Sequence, residues 1–351
     1  MPGAAEAGDH FGSSLRLRDI NGNGRADLAV GAFGEDVLPN GYDDGAAWVL
    51  RGATTGLTST YATAFNATDF DYPVVDGRRF AATTPGEFVA DLKAIKSRTD
   101  AVPYYTNFKD GWPLTAWSND IGSVTCDAEA NDKLAGPVSP WKRGGELSTI
   151  DSLLYDIVEG DLSEKDPSTT NWESSKGMIA QGKVATMHLG SWAITQMRDA
   201  AEKAGTDPDD IGFMPFPAQK DGTYCAVLAS DYQQAVNVHS DEKVAARAWI
   251  DWFTEKSGFS AKEGAVPALK SAAMPSTLKD FVDNDVTFLE RSEAKTGDVN
   301  SIDNAAEIGL TKPDYRQKLV DTARGAQKGN LDDFFADLDK RWNEAAESAG
   351  S

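Results

Sequence analysis

Thr84-Pro85-Gly86-Glu87-Phe88-Val89-Ala90-Asp91-Leu92-Lys93-Ala94-Ile95, followed at once by Val102-Pro103-Tyr104-Tyr105, is the stretch from which the fold is read. Thr84 has the side-chain oxygen that an N-cap needs, Pro85 suits the first helical position, and Glu87 completes a capping box. Phe88, Leu92 and Ile95 recur at helical spacing, which gives one apolar stripe. The Val-Pro-Tyr-Tyr run then reads as the strand after it. A helix passing directly into a strand is the unit of an α/β fold.

The same alternation continues downstream. Ile150, Leu153, Leu154 and Ile157 form a second stripe. Residues 174–181 read as a short helix stopped by Gly182, and residues 184–189 as a strand. Ser240 is positioned to cap a helix with Ala245, Ala248, Trp249, Trp252 and Phe253 on one side, and Asn330 to cap a last helix with Leu331, Phe334, Phe335, Leu338 and Trp342 inward. Trp249, Trp252 and Trp342 are therefore expected in the core, while Trp117, Trp141 and Trp172 stay open. Alternating strands and helices imply a largely parallel sheet covered on both faces.

Upstream, the texture differs. Residues 1–60 hold 11 of the 32 glycines. Leu28-Ala29-Val30-Gly31-Ala32 and Ala46-Ala47-Trp48-Val49-Leu50 read as strands separated by Gly-rich turns. The shift in composition predicts two domains, residues 1–80 and residues 81–351.

With 34 basic and 55 acidic residues among 351, the formal charge is −21. That argues against a nucleic-acid partner, which calls for a basic face, and against an anionic membrane surface. There is no run of 18 apolar residues to span a bilayer. The start of the chain has neither a basic nor an apolar region and does not read as a signal peptide, and no lipid-anchor cysteine lies near it. Cys126 and Cys225 are open to two readings, a disulfide in an oxidising compartment or two ordinary small side chains. No nucleophile elbow, phosphate loop or zinc motif occurs. Chance carboxylate pairs are unavoidable with so many acidic residues, so a glycoside hydrolase gains no support from them.

Asp19-Ile20-Asn21-Gly22-Asn23-Gly24-Arg25-Ala26-Asp27 places oxygen side chains at loop positions 1, 3, 5 and 9, with Gly at position 6. This is a calcium-type pattern, with a backbone carbonyl expected at position 7. Position 12 is Val30, so it is not an EF-hand. An Asn-Gly turn with no metal fits the same residues. With Gly8-Asp9-His10-Phe11-Gly12 before it and Leu28-Ala29-Val30-Gly31-Ala32-Phe33-Gly34 after it, the region resembles one FG-GAP repeat of an integrin-type β-propeller. The resemblance implies a small β blade and Ca2+ ligands Asp19, Asn21, Asn23, Asp27 and the Arg25 carbonyl. One blade does not close a propeller.

The larger part is marked by Asn107-Phe108-Lys109-Asp110-Gly111-Trp112-Pro113-Leu114, Gly182-Lys183-Val184-Ala185-Thr186-Met187, Gly190-Ser191-Trp192-Ala193-Ile194, Ile211-Gly212-Phe213-Met214-Pro215-Phe216-Pro217 and Gly264-Ala265-Val266-Pro267-Ala268-Leu269-Lys270. In this order they resemble the extracellular solute-binding proteins of sugar ABC importers, the group of maltose-binding protein. The resemblance implies a two-lobe periplasmic-binding-protein fold of class α/β. Residues 81–229 and 300–351 would form the second lobe, and residues 230–299 a partial first lobe lacking its usual opening segment. An incomplete lobe would expose apolar surface.

By the same resemblance the chain is not an enzyme. It would bind a mono- or oligosaccharide in a cleft and deliver it to ABC permease membrane subunits, in the cell envelope or outside the cell. Trp192 sits where the family places a sugar-stacking Trp, and Trp112 lies in a cleft-lining segment. Asp110 is a candidate hydroxyl acceptor, and Asp231 and Tyr232 sit near a lobe crossing. The competing reading is a calcium-dependent cell-surface adhesion module carried by the FG-GAP-like repeat.

Overall fold

The computed structural model describes residues 11–19, 23–32, 46–54, 56–66, 82–229 and 233–349. The chain divides into two compact units, residues 1–81 and 82–351.

The first unit is a four-stranded antiparallel meander in chain order, β1 (Ser14–Arg18), β2 (Asp27–Ala32), β3 (Ala46–Ala53) and β4 (Gly56–Asn66). Its strands pair Val30 with Trp48, and both side chains are buried. Phe11 packs on the Trp48 ring at 5.2 Å between centroids. The edge strand β1 is exposed along its whole length, Leu15 and Leu17 included. A Cβ at Gly52 would stand 2.5 Å from the Ala26 carbonyl oxygen, so only glycine lets β3 approach the loop there.

The second unit begins with α1 (Pro85–Arg98). Thr84 Oγ1 accepts the Glu87 N–H at 3.2 Å, and Glu87 reaches back to the Thr83 N–H at 2.7 Å. The capping box therefore closes on Thr83, one residue earlier than its simplest form. Those bonds also hold the Glu87 carboxyl below its ordinary range. There follow β5 (Val102–Tyr104), α2 (Trp112–Ala116), α3 (Glu146–Glu159), α4 (Trp172–Ala180), β6 (Val184–Thr186) and α5 (Trp192–Ala204). Next come β7 (Gln219–Lys220), β8 (Thr223–Leu228), α6 (Lys243–Glu255), α7 (Phe259–Lys262), α8 (Lys279–Asp283) and β9 (Thr287–Glu290). The chain ends in α9 (Thr296–Ala306), α10 (Asp314–Ala323) and α11 (Leu331–Ala349).

The stripe on α3 is the centre of the core. Leu147, Ile150, Leu154 and Ile157 are fully buried, against Leu319 and Val320 of α10 and Leu338 and Trp342 of α11. Through this apolar layer runs one ionic link. Arg316 Nε donates to Asp151 Oδ1 at 2.8 Å with both side chains fully buried. Trp141 Nε1 and the Tyr315 hydroxyl donate to Asp151 Oδ2, at 2.8 and 3.3 Å. Burial works against the Arg316 charge, but the neighbouring carboxylate raises its pKa further.

The α/β class is observed, but the parallel pairing is sparser than expected from sequence. β5 and β6 form a parallel pair, Val102 opposite Val184 and Tyr104 opposite Thr186. β8 lies parallel to β9 and antiparallel to β7. The strand expected over 184–189 ends at Thr186, because the chain turns there into the connection to α5.

Cys126 and Cys225 form a disulfide, with Cα atoms 5.4 Å apart and a sequence separation of 99. The segment before Cys126 wraps the Glu146 carboxylate. Glu146 accepts N–H bonds from Gly122, Val124 and Thr125 at 2.6, 2.9 and 3.1 Å.

The expectation for α6 is corrected. The stripe is present, but no residue of this helix is buried, and Trp249 and Trp252 are 56% and 47% exposed. They pack on each other at 5.3 Å, with Phe253 alongside Trp249. An amphipathic period states that a face is suited to burial, not that something covers it. The helix starts at Lys243 with Glu242 in the cap position, and Ser240 caps only the turn before it by accepting the Glu242 N–H. Trp342 is buried as expected, and Trp117 and Trp141, which the sequence left open, are buried too. Asn330 accepts the Asp333 N–H at 2.9 Å, as its capping role requires.

Candidate functional site

At the carboxyl ends of β5 and β6 the chain leaves the sheet through two connections, and each ends in a tryptophan at the first position of a helix. Gly111 precedes Trp112 of α2, and Ser191 precedes Trp192 of α5. Ligands of open α/β sheets gather beyond these strand ends, where the connections splay apart. A third tryptophan opens α4, behind Asn171, whose side chain accepts the Ser174 N–H at 2.8 Å.

These three rings meet. Ring centroids are 5.2 Å apart for Trp112 and Trp172, 5.8 Å for Trp112 and Trp192, and 5.7 Å for Trp172 and Trp192. Trp112 and Trp192 are inclined at 39°, while Trp172 stands nearly edge-on to both, at 80° and 72°. The cluster is a shelf of two rings with a third as its wall. Trp112 is 38% exposed, and the other two are half-buried. Lys176 lies over the Trp172 ring at 4.9 Å and pairs with Glu173. Gly190 is needed for the packing, since a Cβ there would stand 2.6 Å from the indole nitrogen of Trp192.

Polar groups line the same edge. Asn107 is 1% exposed, takes a left-handed φ of 55°, and its Nδ2 lies 3.9 Å from the Met187 sulfur. Its Oδ1 is buried with no hydrogen-bond partner. Thr106 donates its N–H to Glu164 at 2.9 Å, and its hydroxyl also bonds that carboxylate. Burial pushes the Glu164 carboxyl up, and the Thr106 bonds pull it the other way. His188 Nε2 is 2.6 Å from Asp120 Oδ2, and its ring packs on Trp117.

Of the residues singled out from sequence, Trp112 and Trp192 come together, and Asp110 lies beside them. Its carboxylate accepts the Trp172 N–H. Asp231 and Tyr232 lie outside the described residues. Trp172 was left open by sequence reasoning. Its signal is a capping residue directly before a Trp, the pattern also present at Gly111-Trp112 and Ser191-Trp192. A cavity of about 550 Å³ lies elsewhere, between Phe108, Glu307, Lys312 and Asp321, and none of the three indoles lines it.

The expected calcium ligands are described only in part. Asn21 lies outside the described residues. Asp19 accepts the N–H groups of Asn23 and Gly24 at 3.0 and 2.7 Å, and Asn23 Oδ1 accepts the Arg25 N–H at 2.9 Å. Asp27 is fully buried, accepts the Gly52 N–H at 2.7 Å, and faces the Arg51 guanidinium at 3.5 Å. Asp27 thus has a backbone and a guanidinium partner in the described structure. Among the described residues no group of three or more His, Cys, Asp or Glu is arranged to hold a metal.

A partly exposed aromatic shelf with a carboxylate at its base is suited to a flat molecule with apolar faces, and comparison with known proteins bears on which kind. The sequence profile named bacterial extracellular solute-binding protein matches residues 18–258, more than half of the chain. The chain belongs to this family. Among solved solute-binding proteins, a manno-oligosaccharide-specific one from Bifidobacterium animalis subsp. lactis, in complex with mannotriose, is 34% identical with a TM-score of 0.70. The match covers 81% of this chain and 68% of that one. A second binding protein of an ABC transporter from the same organism, in complex with mannobiose, is also 34% identical, covers the same shares and has a TM-score of 0.71. The xylose/arabinose-binding protein of Haloferax volcanii is 23% identical over 205 residues, 58% of this chain and 42% of that protein. The chain thus spans about two-fifths of the length of that curated relative. The fold of this solute-binding protein is the α/β fold of the two-lobe sugar-binding proteins. No helix among the described residues is long and apolar enough to cross a membrane.

Proposed function

We propose that this chain captures a mono- or oligosaccharide reversibly, without turning it over, and presents it to the membrane permease of an ABC importer. The observation that carries the reading is the three-tryptophan shelf at the carboxyl ends of β5 and β6. Sugar rings have apolar C–H faces that lie on indoles and hydroxyl rims that take hydrogen bonds. Trp192 and Trp112 are assigned to the stacking surface, with Trp172 as the wall beside them. The 34%-identical relatives solved with mannobiose and mannotriose make a manno-oligosaccharide the first candidate. Asp231 and Tyr232, near a lobe crossing, complete the proposed sugar-binding set. In this reading residues 1–80 are one FG-GAP-like blade. Residues 81–229 and 300–351 are the second lobe, and residues 230–299 a partial first lobe. A working place in the cell envelope or outside the cell agrees with the family's description and with a disulfide, which persists in oxidising compartments.

The test is mannotriose binding by calorimetry. Trp192→Ala is expected to weaken it about 30-fold or more, the cost of removing a Trp hot spot of about 2 kcal/mol. Trp249→Ala, on the exposed face of α6, is expected to leave it unchanged. Equal affinity in wild type and Trp192→Ala would remove the shelf from the binding site. Mannotriose recovered intact after incubation distinguishes binding from hydrolysis.

The 19–27 loop enters this proposal as a turn held by its own hydrogen bonds. Calcium at millimolar concentration is expected to leave the melting temperature unchanged. A calcium-dependent rise would restore Asp19, Asn21, Asn23, Arg25 and Asp27 as ligands.

A further inference from the structure

Asp110 touches the starts of two tryptophan-bearing helices. Its main-chain oxygen accepts the Trp112 N–H at 2.8 Å, and its carboxylate Oδ2 accepts the Trp172 N–H. Two more bonds join the same segments. The Lys109 N–H donates to Thr170 Oγ1 at 2.8 Å, and the Asn171 N–H donates to the Tyr105 hydroxyl at 3.2 Å. Gly111, with φ of 73°, makes the turn between Asp110 and Trp112, and a Cβ there would press on Pro313 at 3.0 Å. The connection is therefore pinned from behind and stitched to α4 in front.

We propose that Asp110 is a positioning residue for the sugar site, one that sets the angle between Trp112 and Trp172, and not itself the acceptor of a sugar hydroxyl. The proposal rests on the sugar-binding reading given above. An N–H at the first turn of a helix has no partner within the helix, and a carboxylate near a helix start is also favoured by the helix dipole. The bond to Trp172 thus commits one oxygen of Asp110, Oδ2, to the start of α4 in the ligand-free protein. Losing it would free the first turn of α4, and the ring at its first position would lose its fixed inclination to Trp112.

Three variants separate positioning from direct contact. Asp110→Asn keeps an oxygen for the Trp172 N–H and removes the charge. Asp110→Ala removes both. Trp172→Ala removes the ring on which positioning acts. The first readout needs no sugar: the tryptophan exciton signal in circular dichroism, with Trp172→Ala as the reference for its loss. Asp110→Ala is expected to lose the part of the signal that Trp172→Ala loses, and Asp110→Asn to keep it. The second readout is mannotriose affinity. Asp110→Ala is expected to weaken it about tenfold, the size of a hydrogen bond to a charged group, and Asp110→Asn to stay within about threefold of wild type. In the Trp172→Ala background, Asp110→Ala is expected to cost nothing more.

The proposal is overturned if Asp110→Asn loses as much affinity as Asp110→Ala while both keep the exciton signal, the pattern of a direct charged contact. Full additivity with Trp172→Ala overturns it as well. If wild type fails to bind mannotriose, the assignment of that sugar falls, and positioning is decided by the spectrum alone. Loss of the signal in Asp110→Ala only then supports it, and its retention in both variants overturns it.

Discussion

Arg316→Ala is expected to destabilise the second unit by about 3–5 kcal/mol, because it leaves a buried carboxylate without its counter-charge. Asp151 and Arg316 are both fully buried between α3 and α10. The guanidinium does more than pair. Its Nη1 also donates to Ser118 Oγ at 2.6 Å, and Ser118 in turn donates to the Leu310 carbonyl. Truncation therefore strands Asp151 Oδ1 and opens a void beside Leu114. Trp141 and Tyr315 continue to hold Asp151 Oδ2, which keeps the cost below that of a bare charge. A domain has only about 5–15 kcal/mol in all, so the loss should be plain in a urea titration. The double variant Asp151→Leu/Arg316→Met is expected to recover part of it, since no lone charge remains. What is not recovered, about 1–3 kcal/mol, is the cost of the Trp141 and Tyr315 donors left without an acceptor. A single-variant loss under about 1 kcal/mol would mean that water reaches this layer, and the dry ionic link would then be wrong.

Breaking the disulfide is expected to have an effect of the same order. It closes a loop of 99 residues between the turn at Cys126 and strand β8. Loop-closure entropy for about 100 residues is worth roughly 4.7 kcal/mol, and removal of native disulfides typically costs 2–5 kcal/mol. A loss of about 4 kcal/mol corresponds to a fall in melting temperature of about 8–16 °C. Cys126→Ser/Cys225→Ser and reduction of the wild type should agree. Glu146 continues to hold Gly122, Val124 and Thr125 in either case, so the fold should persist at low temperature with an unchanged far-ultraviolet spectrum. A melting temperature insensitive to reduction would show that the two cysteines are not joined in the protein as prepared.

Much of the fold was legible because local chemistry and packing agree. Thr84, Pro85 and Glu87 build the start of α1 as the spacing predicts, apart from the return bond of Glu87 to Thr83, and the stripe on α3 became the centre of the core. Failures came where a pattern has two outcomes. The stripe on α6 has the period of a buried helix, yet Trp249 and Trp252 face outward, since period carries no information about coverage. The oxygen pattern at 19–27 suits both a metal loop and a turn. At the candidate site, Trp192 and Trp112 stood out through the phrases around them. Trp172 did not, because the capping Asn171 before it marks a helix start and not a site, and its meeting with the other two is long-range. The disulfide was undecidable for the same reason, since sequence gives no distance between Cys126 and Cys225.

Each of the three indoles stands on its own connection into a helix, and each helix has a buried anchor within three residues of its ring: Leu114, Ser175 and Ala193. The ring and the anchor are separable. Taken as the sugar surface proposed above, a shelf built this way can be altered one loop at a time, by exchanging the first helical residue for another aromatic or a polar group, while the anchors and everything behind them stay as they are. Such a chain is a ready frame for divergence: descendants with new ligand preferences are reachable through single replacements at 112, 172 or 192, with no intermediate that must first repack its interior.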